Sequence, residues 1–168
     1  GSGEPAADQM DTMLSLYLQF LEENIRSHPY RLLPGVRDAV TSCREQGHII
    51  GLGTGNLRRG AQAKLESAHI ADLFSLDLGG FGDDSIDRNE VLRAGRHRCD
   101  PTGTVPTIVI GDTPHDVLAA RAIGAKCIAV TTGIFDTASL VACGANLVID
   151  ALSALPCAIG GLLQVSSD

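Results

Sequence analysis

Between residues 48 and 150 the chain repeatedly follows a short apolar run with a helix-length segment, and the apolar runs show no polar alternation. "HIIGLGT" precedes a helical stretch from Leu57 to Ala68, "LFSLDLGG" one from Arg88 to Arg98, and "TVPTIVIGD" one from Pro114 to Ile123. "KCIAVTTG", a short helix over Thr137 to Ala142 and "NLVID" complete the series. A strand that is apolar on both faces needs cover on both faces, and connections of about ten helical residues return the chain to start the next strand in the same direction. The pattern predicts a doubly wound α/β domain, a parallel sheet with helices on both faces.

Ahead of this series, Met10, Met13, Leu14, Tyr17, Leu21 and Ile25 recur at helical spacing and predict one amphipathic helix from Asp8 to Arg26. Pro34 and Gly35 form a junction, and Val36, Ala39, Val40 and Cys43 mark a second helix closed by Gly47. Residues 1–3, Gly-Ser-Gly, read as a vector-derived remnant outside the fold.

Ligands of such sheets bind beyond the carboxyl ends of the strands. Three polar clusters fall there: "GTGN" at 53–56, "GGFGDDSIDR" at 79–88 and "GDTPHD" at 111–116. In the last, Thr113, Pro114 and Asp116 make a helix start with a capping box. Capping accounts for Asp116 but not for Asp112, which ends a buried strand beside a glycine. A hard cation such as magnesium takes one or two carboxylates and fills its octahedron with water and substrate oxygens, a requirement Asp112 and Asp116 suit.

"GTGN" departs from a dinucleotide fingerprint because Asn56 stands in place of the third glycine. It fits a tight turn with Asn56 capping the next helix, and equally a phosphate cradle in which Thr54 offers a hydroxyl and Gly55 and Asn56 offer backbone N–H groups. A phosphoryl group also calls for a fixed cation. The chain has two lysines: Lys126 begins a strand, and Lys64 lies two turns inside a helix. Arg88, opening the helix after the acidic loop, is the better placed, with Arg58 in reserve. Asp83 and Asp84 read as a solvated loop, with lining of the site as the alternative, and His115 as a surface histidine, with a substrate contact as the alternative.

Thirteen basic against twenty acidic residues give a net charge of -7, which disfavours nucleic acid as a partner. No apolar run reaches the roughly 18 residues of a membrane span. The five cysteines are widely spaced and form no CxxC, so neither a disulfide framework nor a zinc site is indicated, and a cytoplasmic location is expected.

"LLPGVRDAV", "GLGTGN", the acidic loop leading to Arg88 and "VIGDTPHDVLAARAIGAKCIAVTTG" together resemble the haloacid dehalogenase (HAD) superfamily of hydrolases, especially its phosphoglycolate-phosphatase-like members. The resemblance implies a Rossmann-like, HAD-type core over residues 29–168 and, over residues 4–28, the remnant of a helical cap. It implies a magnesium-dependent phosphatase that hydrolyses a small-molecule phosphate ester through an aspartyl-phosphate. Thr54 would bind the phosphoryl group, Arg88 would replace the usual lysine, Asp112 would hold magnesium and Asp116 would support that site.

The family's nucleophile lies in a DxDxT element at the end of an N-terminal strand that is central in the sheet, and no DxDxT occurs in these residues. The expectation is therefore a fragment inactive alone, whose sheet is completed by a missing N-terminal segment or by self-association. The alternative is a HAD-like pseudoenzyme, a binding or regulatory domain. A receiver domain would need an acidic pair on its first strand and a lysine ending its last, and neither is evident.

Overall fold

The computed structural model describes residues 7–164, with the side chains of residues 7, 8, 10 and 11 excepted. The expected remnant at residues 1–3 lies outside the described residues. Among the described residues seven α-helices and three β-strands follow one another as α1 (Ala7–Ser27), α2 (Val36–Glu45), α3 (Arg58–Ser67), α4 (Arg88–Cys99), β1 (Ile108–Gly111), α5 (Pro114–Ala122), β2 (Lys126–Val130), α6 (Thr137–Ala142), β3 (Leu147–Ile149) and α7 (Leu155–Gln164).

The strands form a parallel sheet in the order β1-β2-β3, with Ile110 opposite Ile128 and Ala129 opposite Val148. The central strand shows why the apolar runs lack alternation. Ile128 and Val130 face one core, with Ala39 and Cys43 of α2, Ile149 of β3, and Leu155 and Ile159 of α7. Cys127 and Ala129 face the other, with Val117 and Ala120 of α5 and Leu140 of α6. Both faces of β2 are buried, as a sheet covered by helices on each side requires. The apolar C-terminal stretch, to which the sequence pattern gave no element, is α7, and its two buried residues close the first of these cores.

The two earlier predicted strands are corrected. "HIIGLGT" and "LFSLDLGG" meet only at one parallel bridge, Gly53 with Gly80, where Gly80 N–H donates to Leu52 O and Thr54 N–H donates to Gly80 O. Much of the second run is instead spent on tight 3₁₀ turns at Ala71–Leu73 and Leu76–Leu78. The reason is the packing of α4. A Cβ on Gly80 would stand 1.9 Å from Val91 O, and one on Gly95 would stand 3.0 Å from Leu52 O. The helix lies directly on the glycine backbone, and glycines at the point of contact, with no side chain to pack, weaken a regular strand there.

α4 also ties this region to the sheet, since its Leu92 packs with Val109 of β1, with Ala119 of α5 and with Ile123 just after that helix. α1 packs on α3, where Gly60 lies close to the Tyr17 hydroxyl and to Leu21. Among the described residues no helix is long and apolar enough to cross a membrane.

Candidate functional site

The carboxyl end of β1 leads directly into α5, and the turn is closed as the capping box predicts. Asp116 N–H donates to Thr113 Oγ1 at 3.3 Å, while Thr113 Oγ1 and N–H donate to Asp116 Oδ2 at 2.8 and 3.3 Å. The carboxyl group lies flat on Gly111, where a Cβ would come within 2.4 to 2.6 Å of Asp116 Cβ, Cγ and Oδ2. The other oxygen, Oδ1, accepts from Arg88 Nη2 at 2.7 Å. Asp116 is thus buried and occupied on both oxygens: it holds the turn and orients the first residue of α4.

Asp112 is placed differently. Its half-buried carboxylate packs over Gly133, where a Cβ would stand 2.5 Å from Oδ2, and it makes no hydrogen bond or ion pair with any described residue. Between the two expected metal-associated acids, Asp112 has free oxygens and Asp116 does not. Among the described residues no group of three or more His, Cys, Asp or Glu side chains is gathered to hold a metal. One free carboxylate suits magnesium, which completes its shell with water and substrate oxygens.

Arg88 lies in the first turn of α4, whose start is fixed by Asp87 accepting from Asn89 N–H at 2.8 Å. Together with Gly55, Leu57, Gly82, Ser85, Ile86 and Val91 it lines a cleft of about 320 Å³. The cleft joins the Thr54–Gly55 turn to the cation, and the cation joins the turn to the end of β1 through Asp116. Arg58 is directed elsewhere, paired with Asp77 and lying 5.7 Å from the centroid of the Phe81 ring. Of the two arginines considered from sequence, the geometry brings Arg88 to the cleft.

At the "GTGN" turn the backbone N–H of Gly55 has no partner among the described residues and is available to a ligand. That of Asn56 is not: it donates to Thr54 Oγ1 at 3.1 Å, which corrects its assignment as a phosphate donor. Nor does Asn56 cap α3. Leu57 stands at that position, and the carboxylate of Asp83 reaches across to accept the N–H of Arg58. Asp84 is likewise not a free loop acid. It accepts from Phe81 N–H at 2.8 Å and takes both terminal nitrogens of Arg98, which holds its carboxyl below the usual carboxylate range. His115 is exposed, as expected.

One residue passed over in the sequence belongs to the turn. Lys64 Nζ donates to Asn56 Oδ1 at 2.6 Å and sits 5.4 Å from the centroid of the Tyr30 ring. Side chains on a helix lean toward its N-terminus, so a long lysine two turns in reaches back to the start. That lean was the available signal.

A haloacid dehalogenase-like hydrolase family model matches residues 4–121, and a HAD-hydrolase-like model matches residues 91–155. "Probable phosphatase IndB" of Dickeya dadantii is 30% identical over 154 residues, covering 88% of this chain and 64% of that protein. A phosphoglycolate phosphatase of Synechococcus elongatus is 30% identical over 134 residues, covering 80% of this chain and 62% of its own. The chain therefore spans less than two thirds of the length of these relatives. Among solved structures, CbbY from Rhodobacter sphaeroides in complex with phosphate superposes with a TM-score of 0.66 at 16% identity, covering 92% of this chain and 69% of that one. A haloacid dehalogenase-like hydrolase from Streptococcus pneumoniae gives 0.66 at 18% identity, covering 95% and 72%. With its parallel sheet, its cleft and a family match over most of its length, the chain belongs to the haloacid dehalogenase-like hydrolases.

Proposed function

We propose that this chain is the phosphate- and metal-binding portion of a magnesium-dependent phosphomonoesterase for a small-molecule phosphate ester, and that it is inactive alone. The observation that carries the reading is that Gly55 and Arg88 line one cleft, that Arg88 is bonded to Asp116, and that Asp116 packs on Gly111, the residue next to the free carboxylate of Asp112. In this reading the Thr54 hydroxyl and the Gly55 N–H hold phosphoryl oxygens. Arg88, with one nitrogen on Asp116 and the rest of its fork toward the cleft, offsets their charge. Asp112 holds magnesium, which when bound stabilises charge on the phosphoryl oxygens. Asp116 supports the site by fixing Arg88 and the β1–α5 turn.

Inactivity follows from the missing nucleophile, since no DxDxT occurs in the sequence. In the sheet β1 has one hydrogen-bonded neighbour, β2, among the described residues, which is consistent with a further strand pairing at its open edge. α1 is then the remnant of a helical cap, the enzyme is cytoplasmic, and the substrate is a small phosphate ester of the kind its phosphoglycolate phosphatase relatives are named for. The competing reading, a binding or regulatory domain, rests on the same missing nucleophile.

The test is to assay the 168-residue chain and the product of the natural gene with its upstream coding sequence, using p-nitrophenyl phosphate with and without magnesium. The expectation is turnover only by a longer protein carrying DxDxT, reduced at least about a hundredfold by Asp112→Asn. Magnesium-dependent turnover by the short chain, abolished by Asp112→Asn, overturns inactivity. A natural start near Glu4 overturns the enzyme reading in favour of the binding domain.

A further inference from the structure

We infer that Lys64 acts through Asn56 as a positioning residue that sets the hydrogen-bonding polarity of the Thr54 hydroxyl, turning its proton outward toward an anionic ligand. The inference rests on the reading of Thr54 as a phosphate-binding residue and deepens it.

A threonine hydroxyl has one proton to give and two lone pairs to accept with. In this turn Asn56 donates to Thr54 Oγ1 twice, from its backbone N–H at 3.1 Å and from its side-chain Nδ2 at 2.7 Å. Both lone pairs are thereby used, and no described residue accepts the hydroxyl proton. The only hydrogen bond left for that group is one donated to something outside the turn, which is what an oxyanion needs.

The arrangement depends on which end of the Asn56 amide faces Thr54. The oxygen and nitrogen ends have nearly the same shape, so sterics do not choose between them. Lys64 does. An ammonium only donates, so the amide atom 2.6 Å from Nζ is the oxygen, and the nitrogen is left for Thr54. With the lysine removed, the amide is free to turn over and present its oxygen to the hydroxyl. Thr54 would then donate inward and show a lone pair to the ligand, exchanging an attraction for a repulsion. The Tyr30 ring, 5.4 Å from Nζ, helps hold the ammonium in place. Lys64 thus supplies the directionality of the Thr54 hydroxyl through the amide it holds.

The experiment is a titration of the chain with inorganic phosphate, followed by 1H–15N spectra at the Gly55 amide. Wild type should bind, and Thr54→Val should not. Lys64→Met should weaken binding about tenfold, the loss of one hydrogen bond to a charged group. Lys64→Arg, also a donor-only side chain, should restore it. Asn56→Ala keeps the charge of Lys64 and removes the relay, so in that background Lys64→Met should cause no further loss. In the ligand-free protein the Asn56 side-chain amide resonances should shift in Lys64→Met and return in Lys64→Arg. Wild-type affinity in Lys64→Met, or an equal loss with and without Asn56, overturns the inference while leaving Thr54-dependent binding intact. Failure of wild type to bind phosphate in a Thr54-dependent way overturns the functional reading and this inference with it.

Discussion

Arg88 Nη2 and Asp116 Oδ1 meet at 2.7 Å, although 28 positions separate them in sequence, and this pair joins the first turn of α4 to the first turn of α5. The acid is buried and the guanidinium about one third exposed. Arg88→Met leaves the carboxylate without its cation and is expected to lower stability by about 2 kcal/mol, less than for a fully buried pair. Urea denaturation measures it, and an unchanged midpoint would show that the pair is not formed in solution.

The contact of Asp116 with Gly111 makes a sharp contrast with another glycine. Gly111→Ala places a Cβ 2.4 Å from Asp116 Cβ and 2.6 Å from its Oδ2. The expected loss is about 3 kcal/mol, with Arg88 displaced as Asp116 moves. Gly160, inside α7, has nothing within 4 Å of the same position. Gly160→Ala should therefore raise stability by about 0.5 to 1 kcal/mol through helix propensity. Thermal melts of the two variants should move in opposite directions.

The loop that presents Gly82 and Arg88 is fastened by Asp84 and Arg98. Because hydrogen bonding to Arg98 depresses the Asp84 carboxyl, the unfolded chain takes up this proton at higher pH than the folded one. The pair therefore contributes fully above the ordinary aspartate value of about 3.9 and its contribution fades as pH falls through the depressed value. Asp84→Asn should flatten that part of the stability-against-pH curve below about pH 5, measured by denaturant titration. An identical slope in wild type and variant would refute the assignment.

Of the five cysteines, Cys157 is exposed while Cys43 and Cys127 are buried. Burial, with a further push from Asp116, raises the Cys127 thiol to about 11, so it stays protonated at neutral pH. At pH 8 a thiol reagent should label Cys157 rapidly and leave Cys127 untouched until the protein unfolds. Labelling of Cys127 at the rate of Cys157 would mean that the core between β2 and α5 opens readily.

The parts of the fold legible in the sequence are those fixed by local chemistry or by burial alone. Two-sided burial of β2 wrote itself as an uninterrupted apolar run, and the Thr113–Asp116 capping box was readable from spacing. The start of α4 at Arg88 was readable as well. What was hidden depends on distant partners. The bridge at Gly53 and Gly80 is set by α4 lying on bare backbone, and the cap on α3 comes from Asp83. No periodicity encodes either. The place of Lys64 at the turn is hidden as well, because the reach of a long side chain does not show in its position along a helix.

The seating of α4 on Gly80 has a bearing on how such a site can vary. Where Val91 O and the Gly95 backbone press against glycine, no side chain intervenes whose size could be traded to shift the helix. The distance between the Thr54 turn and the Arg88 end of α4 is then set by peptide thickness, a ruler that substitution elsewhere in the core leaves untouched. Variation in ligand choice is left to the rim, at positions such as Ser85 and Ile86, while the backbone spacing between the Thr54 turn and α4 stays constant.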